Sequence, residues 1–350
     1  MKTTRGFGIS GDRLLAIALA FMATIVFVGL VSGDTAASFT GSSTNPTNHM
    51  NTLLVQPPAS QNSTTSGVAG AVNLSWAATP TAPGAGHTLS YDVLRGPVGG
   101  PYVVIATTSA LTYSDTPPAD GSYGYVLRAK VTGGGTFTSG DSAAQSGISD
   151  RVAPTKSITC NAAACGAGWY TAAVSVTVSG TDAGTGMGSV TRNVDAGGQV
   201  STGGASVTFN VTGDSAGHTV QYFTTDAAGN LSTTATQTIK IDGTAPTVAT
   251  GVAGTSGANG SPVTFDLTWT AGTDATSGVQ GYEVRWTNAI TTCPAANTTN
   301  YPNSATVGAV TAYTVTGLTN NKDYCAYLVT IDNAGNRSAN SAVAGPTTAK

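Results

Sequence analysis

Residues 312–332 read AYTVTGLTNNKDYCAYLVTID, and this stretch decides the fold. Tyr313 and Val315 stand two apart, the spacing at which a strand turns side chains to one face, and Leu318 ends the run. After a turn rich in Asn, Tyr324 stands six residues beyond Leu318 and opens a second apolar run. A tyrosine in that place can hydrogen-bond back across the preceding turn and tie two strands of a sandwich together.

Upstream, PVTFDLTW at 262–269 places Phe265, Leu267 and Trp269 on one face, and GYEVRW at 281–286 does the same with Tyr282, Val284 and Trp286. A Trp on the second strand, an aromatic on the third, and Leu then Tyr across a turn together resemble a fibronectin type III domain over about a hundred residues. The first part of the chain repeats the plan. AVNLSW at 71–76 ends in Trp76, LSYDVLR offers Tyr91 and Val93, and SYGYVLRAKV supplies Tyr123, Tyr125, Leu127 and Val131. GPVGGPYVVIA at 96–106 reads as a hairpin into the next strand, and this part too resembles fibronectin type III.

The middle differs. GWYTAAVSVTVSGTDAGTGMGSV, VTFNVTGDSAGHTVQYFTTDAAGN and TIKIDGTAP, between 168 and 246, resemble the immunoglobulin-like repeats strung through large exported bacterial proteins, including polysaccharide-degrading ones. Trp169 leads into Val174, Val176 and Val178, and Val220 and Tyr222 fill the strand before DAAGN. The resemblance implies a sandwich and no particular activity, because such modules accompany many proteins.

Nearly the same hexapeptide stands before the second and third of these units: DRVAPT at 150–155 and DGTAPT at 242–247. Pro fixes its own φ and pushes the preceding residue into an extended conformation, so each hexapeptide reads as a stiff joint. The expected fold is all-β, three tandem immunoglobulin-like or fibronectin type III sandwiches after an N-terminal apolar helix. The expected divisions are 1–36 for an export signal or membrane anchor, 37–56 for a Ser/Thr/Asn-rich segment, then 57–150, 151–245 and 246–350 for the sandwiches. At about 3.3 Å per residue each would be roughly 30–40 Å long, and three end to end on the order of 100 Å.

The bulk composition agrees. Only 9% of the 350 residues are charged, 45 are Gly, and the 40% apolar content is carried largely by Ala and Val. That suits short strands and turns better than amphipathic helices. A net charge of −3 without basic clusters argues against binding nucleic acid.

The N-terminus reads as an address. Lys2, Arg5 and Arg13 precede LLAIALAFMATIVFVGLV at 14–31, then SGDTAAS, the pattern of an export signal. Eighteen apolar residues suffice for a single membrane span, so retention as an anchor and cleavage between Gly33 and Ala37 are both open; Ala36 and Ala37 favour cleavage. The following ASFTGSSTNPTNHMNTLLV, with Phe39, Asn45 and Asn48, resembles the mature start of bacterial exports processed by an endoplasmic-reticulum-type signal peptidase. An extracellular or cell-surface location follows, with membrane contact through this segment alone.

Two internal echoes bear on sites. TDAAGNLS at 225–232 and IDNAGNRS at 331–338 each follow a strand, and GTDAGTGMG and GTDATSGVQG carry Asp182 and Asp274 in loops expected at the same end of the same sandwiches. Asp182 with Asp226, and Asp274 with Asp332, are therefore candidate calcium carboxylates. Asp equally bonds its own turn, and two carboxylates fall short of six to eight oxygens, so the turn role is the expectation and no cofactor is assigned.

The four cysteines divide by position into Cys160 with Cys165 and Cys293 with Cys325, which outside the cytoplasm reads as two disulfides. In the chain-entropy view they stabilise by about 2 and about 3.7 kcal/mol respectively. A metal site would lack two ligands.

Catalysis is not expected. Glu283 is the one glutamate, His49, His87 and His218 stand apart, and no GxSxG, HExxH or P-loop is read in the chain. His218 reads as a half-exposed surface residue and His87 as part of a Gly-rich loop. The chain is expected to be a monomeric, non-catalytic spacer or adhesion protein making weak contacts with polysaccharide or another cell-surface polymer. An accessory or carbohydrate-binding part in polysaccharide breakdown is the alternative, for which Tyr102, Tyr170 and Tyr301, not placed inward by phase, are the candidate stacking aromatics. A fibre subunit is a third reading, with the N-terminal segment as the exchanged strand.

Overall fold

A computed structural model describes residues 54–58, 61–258 and 262–350, with side chains from 66 onward in its first strand. The export signal, Phe39, Asn45, Asn48, His49 and most of the 37–56 segment lie outside the described residues. Within them the chain is all-β, with twenty-three strands and one three-residue 3-10 turn. No helix among the described residues is long and apolar enough to cross a membrane.

The chain divides into two compact units. The first takes Ser75–Tyr113 and Gly124–Gln145 with the N-terminal residues. Its strands run in the order Val103–Thr108, Thr88–Gly96, Gly121–Thr132, Thr136–Thr138. Register pairs Tyr91 with Ala129 and Val93 with Leu127, so the alternating apolar residues of both strands share a face and are buried. Trp76 meets Tyr91 edge-on at 5.7 Å, and the Tyr91 hydroxyl accepts the Thr79 amide at 3.1 Å. The Ser139 and Ser142 hydroxyls accept the amides of Ala129 and Leu127, both at 2.9 Å, so polar residues replace a strand partner there.

The second unit takes Ser63–Leu74, Ser114–Tyr123 and Ser146–Lys350. Its central part is a sandwich. Thr155–Cys160, Val174–Thr181 and Ser206–Val211 form one sheet, and Trp169–Tyr170, Ala235–Ile241, Ser215–Asp226, Met187–Val194 and Val200–Gly203 the other. Val174, Val176 and Val178 from the first sheet and Val190, Val220, Tyr222, Ile239 and Ile241 from the second close one core. The two-residue period of VSVTVS is what makes this possible: each Val turns inward and each Ser or Thr outward.

The C-terminal sandwich repeats the arrangement, with Thr250–Ser256, Phe265–Thr270 and Ala312–Val315 facing Asn303–Gly308, Val279–Trp286, Asp323–Asp332 and Ala344–Thr348. Phe265, Leu267, Trp269, Tyr282, Val284 and Leu328 fill its core, and Trp269 meets Tyr282 edge-on at 5.2 Å, a contact adding about 0.5–1.5 kcal/mol beyond burial. The Tyr324 hydroxyl accepts the Thr319 amide at 3.0 Å, which is the cross-turn bond expected from the spacing after Leu318.

One expectation is overturned here. Tyr301 is not an exposed stacking aromatic: it is 0% exposed, meets Tyr327 edge-on at 4.9 Å and donates its hydroxyl to the Pro294 carbonyl at 3.0 Å. It belongs to a second apolar cluster, with Cys325, Tyr327 and Val329, on the outer face of the same sheet. Strand phase is blind to it because Tyr301 stands in a connection rather than a strand.

Candidate functional site

The loops expected to share an end do so, and each pair is joined by a third carboxylate. Oxygens of Asp150, Asp182 and Asp226 all lie within 4.8 Å of one another, as do those of Asp242, Asp274 and Asp332. Asp150 and Asp242 are the first residues of the two repeated hexapeptides, so each joint feeds its own Asp into the sandwich it opens.

The triads are organised by donors. Asp150 Oδ2 accepts the backbone and side chain of Thr185, both at 2.8 Å, and Oδ1 accepts the Val152 amide. Asp182 Oδ2 accepts the amides of Gly184 and Gly186, and Asp226 accepts the amide and side-chain Nδ2 of Asn230. In the second triad Asp242 accepts from Thr244 and Ser277, Asp274 from Thr276, Ser277 and Gly278, and Asp332 from Ala334 and Asn336. Asp150 is 1% exposed; burial raises its pKa, but the Thr185 and Val152 bonds outweigh this and hold it below the ordinary carboxylate range.

The Asn of AGN completes a latch. Asn230 Nδ2 donates to the Asp150 carbonyl at 3.0 Å and Asn336 Nδ2 to the Asp242 carbonyl at 2.8 Å, so the same contact is built at both joints. On the other side of the first joint, the Ser149 hydroxyl donates to the Gly70 carbonyl at 2.8 Å, and Arg151 pairs with Asp120 at 2.7 Å. Gly184 is required: a Cβ there would lie 2.4 Å from the Asp150 carboxylate.

As a ligand set each triad is oxygen-only and of the type that holds a hard cation. Among the described residues no Lys or Arg is ion-paired to any of the six. Five of the six carboxylate oxygens of each triad accept protein donors, and these bonds make the arrangement a latch between loop and joint.

The disulfides Cys160–Cys165 and Cys293–Cys325 are formed, with Cα separations of 4.8 and 5.6 Å. His218 is half-buried: Nδ1 lies 2.6 Å from Asp195 and Nε2 2.9 Å from the Gly213 carbonyl. Burial lowers its pKa, and the Gly213 and Asp195 acceptors more than offset that and raise it. The same pair, with His218 first and the Thr219 amide next, lowers Asp195.

GDSAG at 213–217 has the G-x-S-x-G form and immediately precedes His218, which corrects the expectation that the chain holds no such motif. Geometry assigns it no nucleophile. The Ser215 hydroxyl accepts the Gly217 amide at 3.1 Å, the His218 nitrogens are taken by Asp195 and Gly213, and the pentad leads into a strand instead of the strand-to-helix turn such a serine needs. His87 is exposed, with Nδ1 3.2 Å from the Ala85 carbonyl. Tyr170 is half-buried, with its hydroxyl accepting the Gly166 amide, and half-buried Tyr102 lies against Gly100 and Gly124.

With this geometry in place, the relation to known proteins is direct for one part. Residues 251–345 match the fibronectin type III domain family. They form a fibronectin type III domain. Among solved structures, domains A168–A170 of titin are similar at 13% identity over 85% of this chain and 99% of that one, with a TM-score of 0.41. The FN1–FN3 domains of chicken CNTN1 are similar at 15% identity over 83% and 97%, with a TM-score of 0.33. No curated protein sequence matches the chain. Outside residues 251–345 the described chain is likewise built of β-sheets.

Proposed function

We propose that the chain is an exported bacterial spacer that carries tandem β-sandwiches at the cell surface, as a monomer, and uses them for adhesion. The observation that carries this reading is the duplicated latch. An Asp at the start of each AP joint, Asp182 or Asp274 from the GTD loop, and an Asp–Asn pair from the AGN loop recur at both joints, with the Asn bonded to the joint carbonyl in each. Such investment in how one sandwich is entered from the last is what a load-bearing or spacing role demands, and it serves no chemistry on a substrate. The N-terminal apolar run supports export, with the segment either cleaved or kept as an anchor.

A second reading, contact with a neutral polysaccharide, is favoured by one face. Outward residues of the three-stranded middle sheet are Thr155, Ser157, Thr159, Ser175, Thr177, Ser179, Ser206 and Thr208, with Asn210, and none is charged. Their hydroxyls pair across strands, as in Thr177 with Thr208 at 2.8 Å and Ser157 with Ser179 at 3.0 Å. The test is a pull-down of the chain lacking residues 1–36 on chitin, cellulose and purified cell wall, beside a cell-clustering assay. Clustering without retention supports adhesion; retention on one polysaccharide supports the second reading; neither outcome overturns both.

A further inference from the structure

The connection between Val279–Trp286 and Asn303–Gly308 runs over residues 287–302, sixteen residues, where that between Thr88–Gly96 and Val103–Thr108 spans 97–102 and that between Met187–Val194 and Val200–Gly203 spans 195–199. It does not hang free. It folds back over the outer face of its own sheet, where Ile290, Cys293, Ala296 and Tyr301 cover Cys325, Tyr327 and Val329. The Thr287 amide donates to the Cys325 carbonyl at 3.0 Å and the Ile290 amide to the Asp323 carbonyl at 2.9 Å. None of these covering residues belongs to the core inside the sandwich, which is closed by Phe265, Leu267, Trp269, Tyr282 and Leu328. The fibronectin type III domain therefore has two separate apolar clusters, and the disulfide Cys293–Cys325 ties only the outer one.

We propose that residues 287–302 are a disulfide-latched strap that opens by itself when the latch is reduced, uncovering Tyr327 and Val329 while the sandwich stays folded. Register sets their border: Tyr327 lies across from Arg285 and Val329 across from Glu283, and Glu283 is ion-paired to both Arg285 and Arg337. An apolar pair bordered by a charged pair is thus uncovered.

The reductant is a dithiol. Cys325 is fully buried and Cys293 half-buried, so a thiolate of the reagent attacks the Cys293 sulfur. The S–S bond breaks and Cys325 leaves as a thiolate that takes up a proton. The second thiol of the reagent then displaces Cys293, which is protonated in turn, and the reagent departs as its own disulfide. Two electrons and two protons pass to the protein. Without the tie the strap is held by the outer cluster alone, Tyr301 against Tyr327 above all, and by bonds such as the Cys325 amide to the Thr287 hydroxyl at 3.0 Å and Asn340 Nδ2 to the Ala296 carbonyl at 2.8 Å. None of these is shared with the inner core, so the strap can open below the global unfolding free energy.

Amide hydrogen exchange on the full chain tests this, in the presence of dithiothreitol and in a Cys293→Ala, Cys325→Ala variant that retains Cys160–Cys165. Ile290 and Tyr301 report on the strap, and Trp269 and Leu328, bonded to the Thr311 carbonyl and the Ser341 hydroxyl, report on the sandwich. Exchange at the strap amides is expected to quicken by about tenfold or more while the sandwich amides are unchanged. Quickening of all four together, or of none, overturns the proposal. Should the double variant fail to fold, graded dithiothreitol on the native chain gives the same readout.

Discussion

The side-chain amide of Asn336 reaches the backbone carbonyl of Asp242, ninety-four residues earlier in the chain, at 2.8 Å, and with the same nitrogen touches the Asp332 carboxylate at 2.9 Å. Asn230 makes the equivalent pair of bonds to Asp150 and Asp226 at 3.0 and 2.8 Å. Each latch thus depends on one donor that no hydroxyl or carboxylate can replace. Asn336→Ala leaves a buried carbonyl and a charged acceptor short of a partner and is expected to cost about 1–3 kcal/mol. Asn336→Asp should cost more, because it places a fourth carboxylate beside three. Differential scanning calorimetry checks this, at about 4–8 °C of melting temperature per kcal/mol for a domain of this size.

Gly184 packs directly against the Asp150 carboxylate, so Gly184→Ala forces the joint away from the sandwich it enters. The expected penalty is about 1–3 kcal/mol, the usual range for overpacking. Gly168, whose added Cβ would meet nothing within 4 Å, is the matched control. Urea denaturation should separate the two variants; equal midpoints would mean that the joint yields freely.

Tyr324→Phe removes only the hydroxyl that accepts the Thr319 amide, leaving the ring in the core. A loss of about 0.5–1.5 kcal/mol is expected, that of one neutral hydrogen bond. Tyr282→Phe, which frees the Gly272 amide, should behave alike. Both are read as shifts in urea midpoint at constant slope.

Residues such as Tyr324 were legible in the sequence because their information is local: a two-residue period, a turn, and a fixed offset across it. The same holds for the Val ladder at 174–178 and for the pairing of loops that carry Asp182 with Asp226. What escaped was built by distant segments. Asp150 and Asp242 meet their triads across the fold, and only the repetition of Asp at the head of both hexapeptides hinted at a role beyond the Pro. Tyr301 was misplaced because its cluster lies outside the sandwich, in a connection with no period to read. GDSAG shows the converse: a motif that matches by letters has no meaning until the bonds of Ser215 and His218 are known.

His218 has an acceptor at each ring nitrogen, the Asp195 carboxylate and the Gly213 carbonyl, so the arrangement is satisfied by the imidazolium. Its folded pKa is raised, so the stability it contributes is complete below the unfolded value of about 6.5 and is lost as pH rises through the folded one. Asp195 is shifted the opposite way, and its contribution is complete above about pH 4 and lost as pH falls through its lowered folded value. The pair therefore contributes most between those limits. The urea midpoint of the native chain should fall between pH 6 and pH 8, and the fall should be smaller in His218→Asn, which keeps one donor but does not titrate. Parallel profiles for the two proteins would show that the ring is neutral in the folded chain, with one of its two contacts not a hydrogen bond.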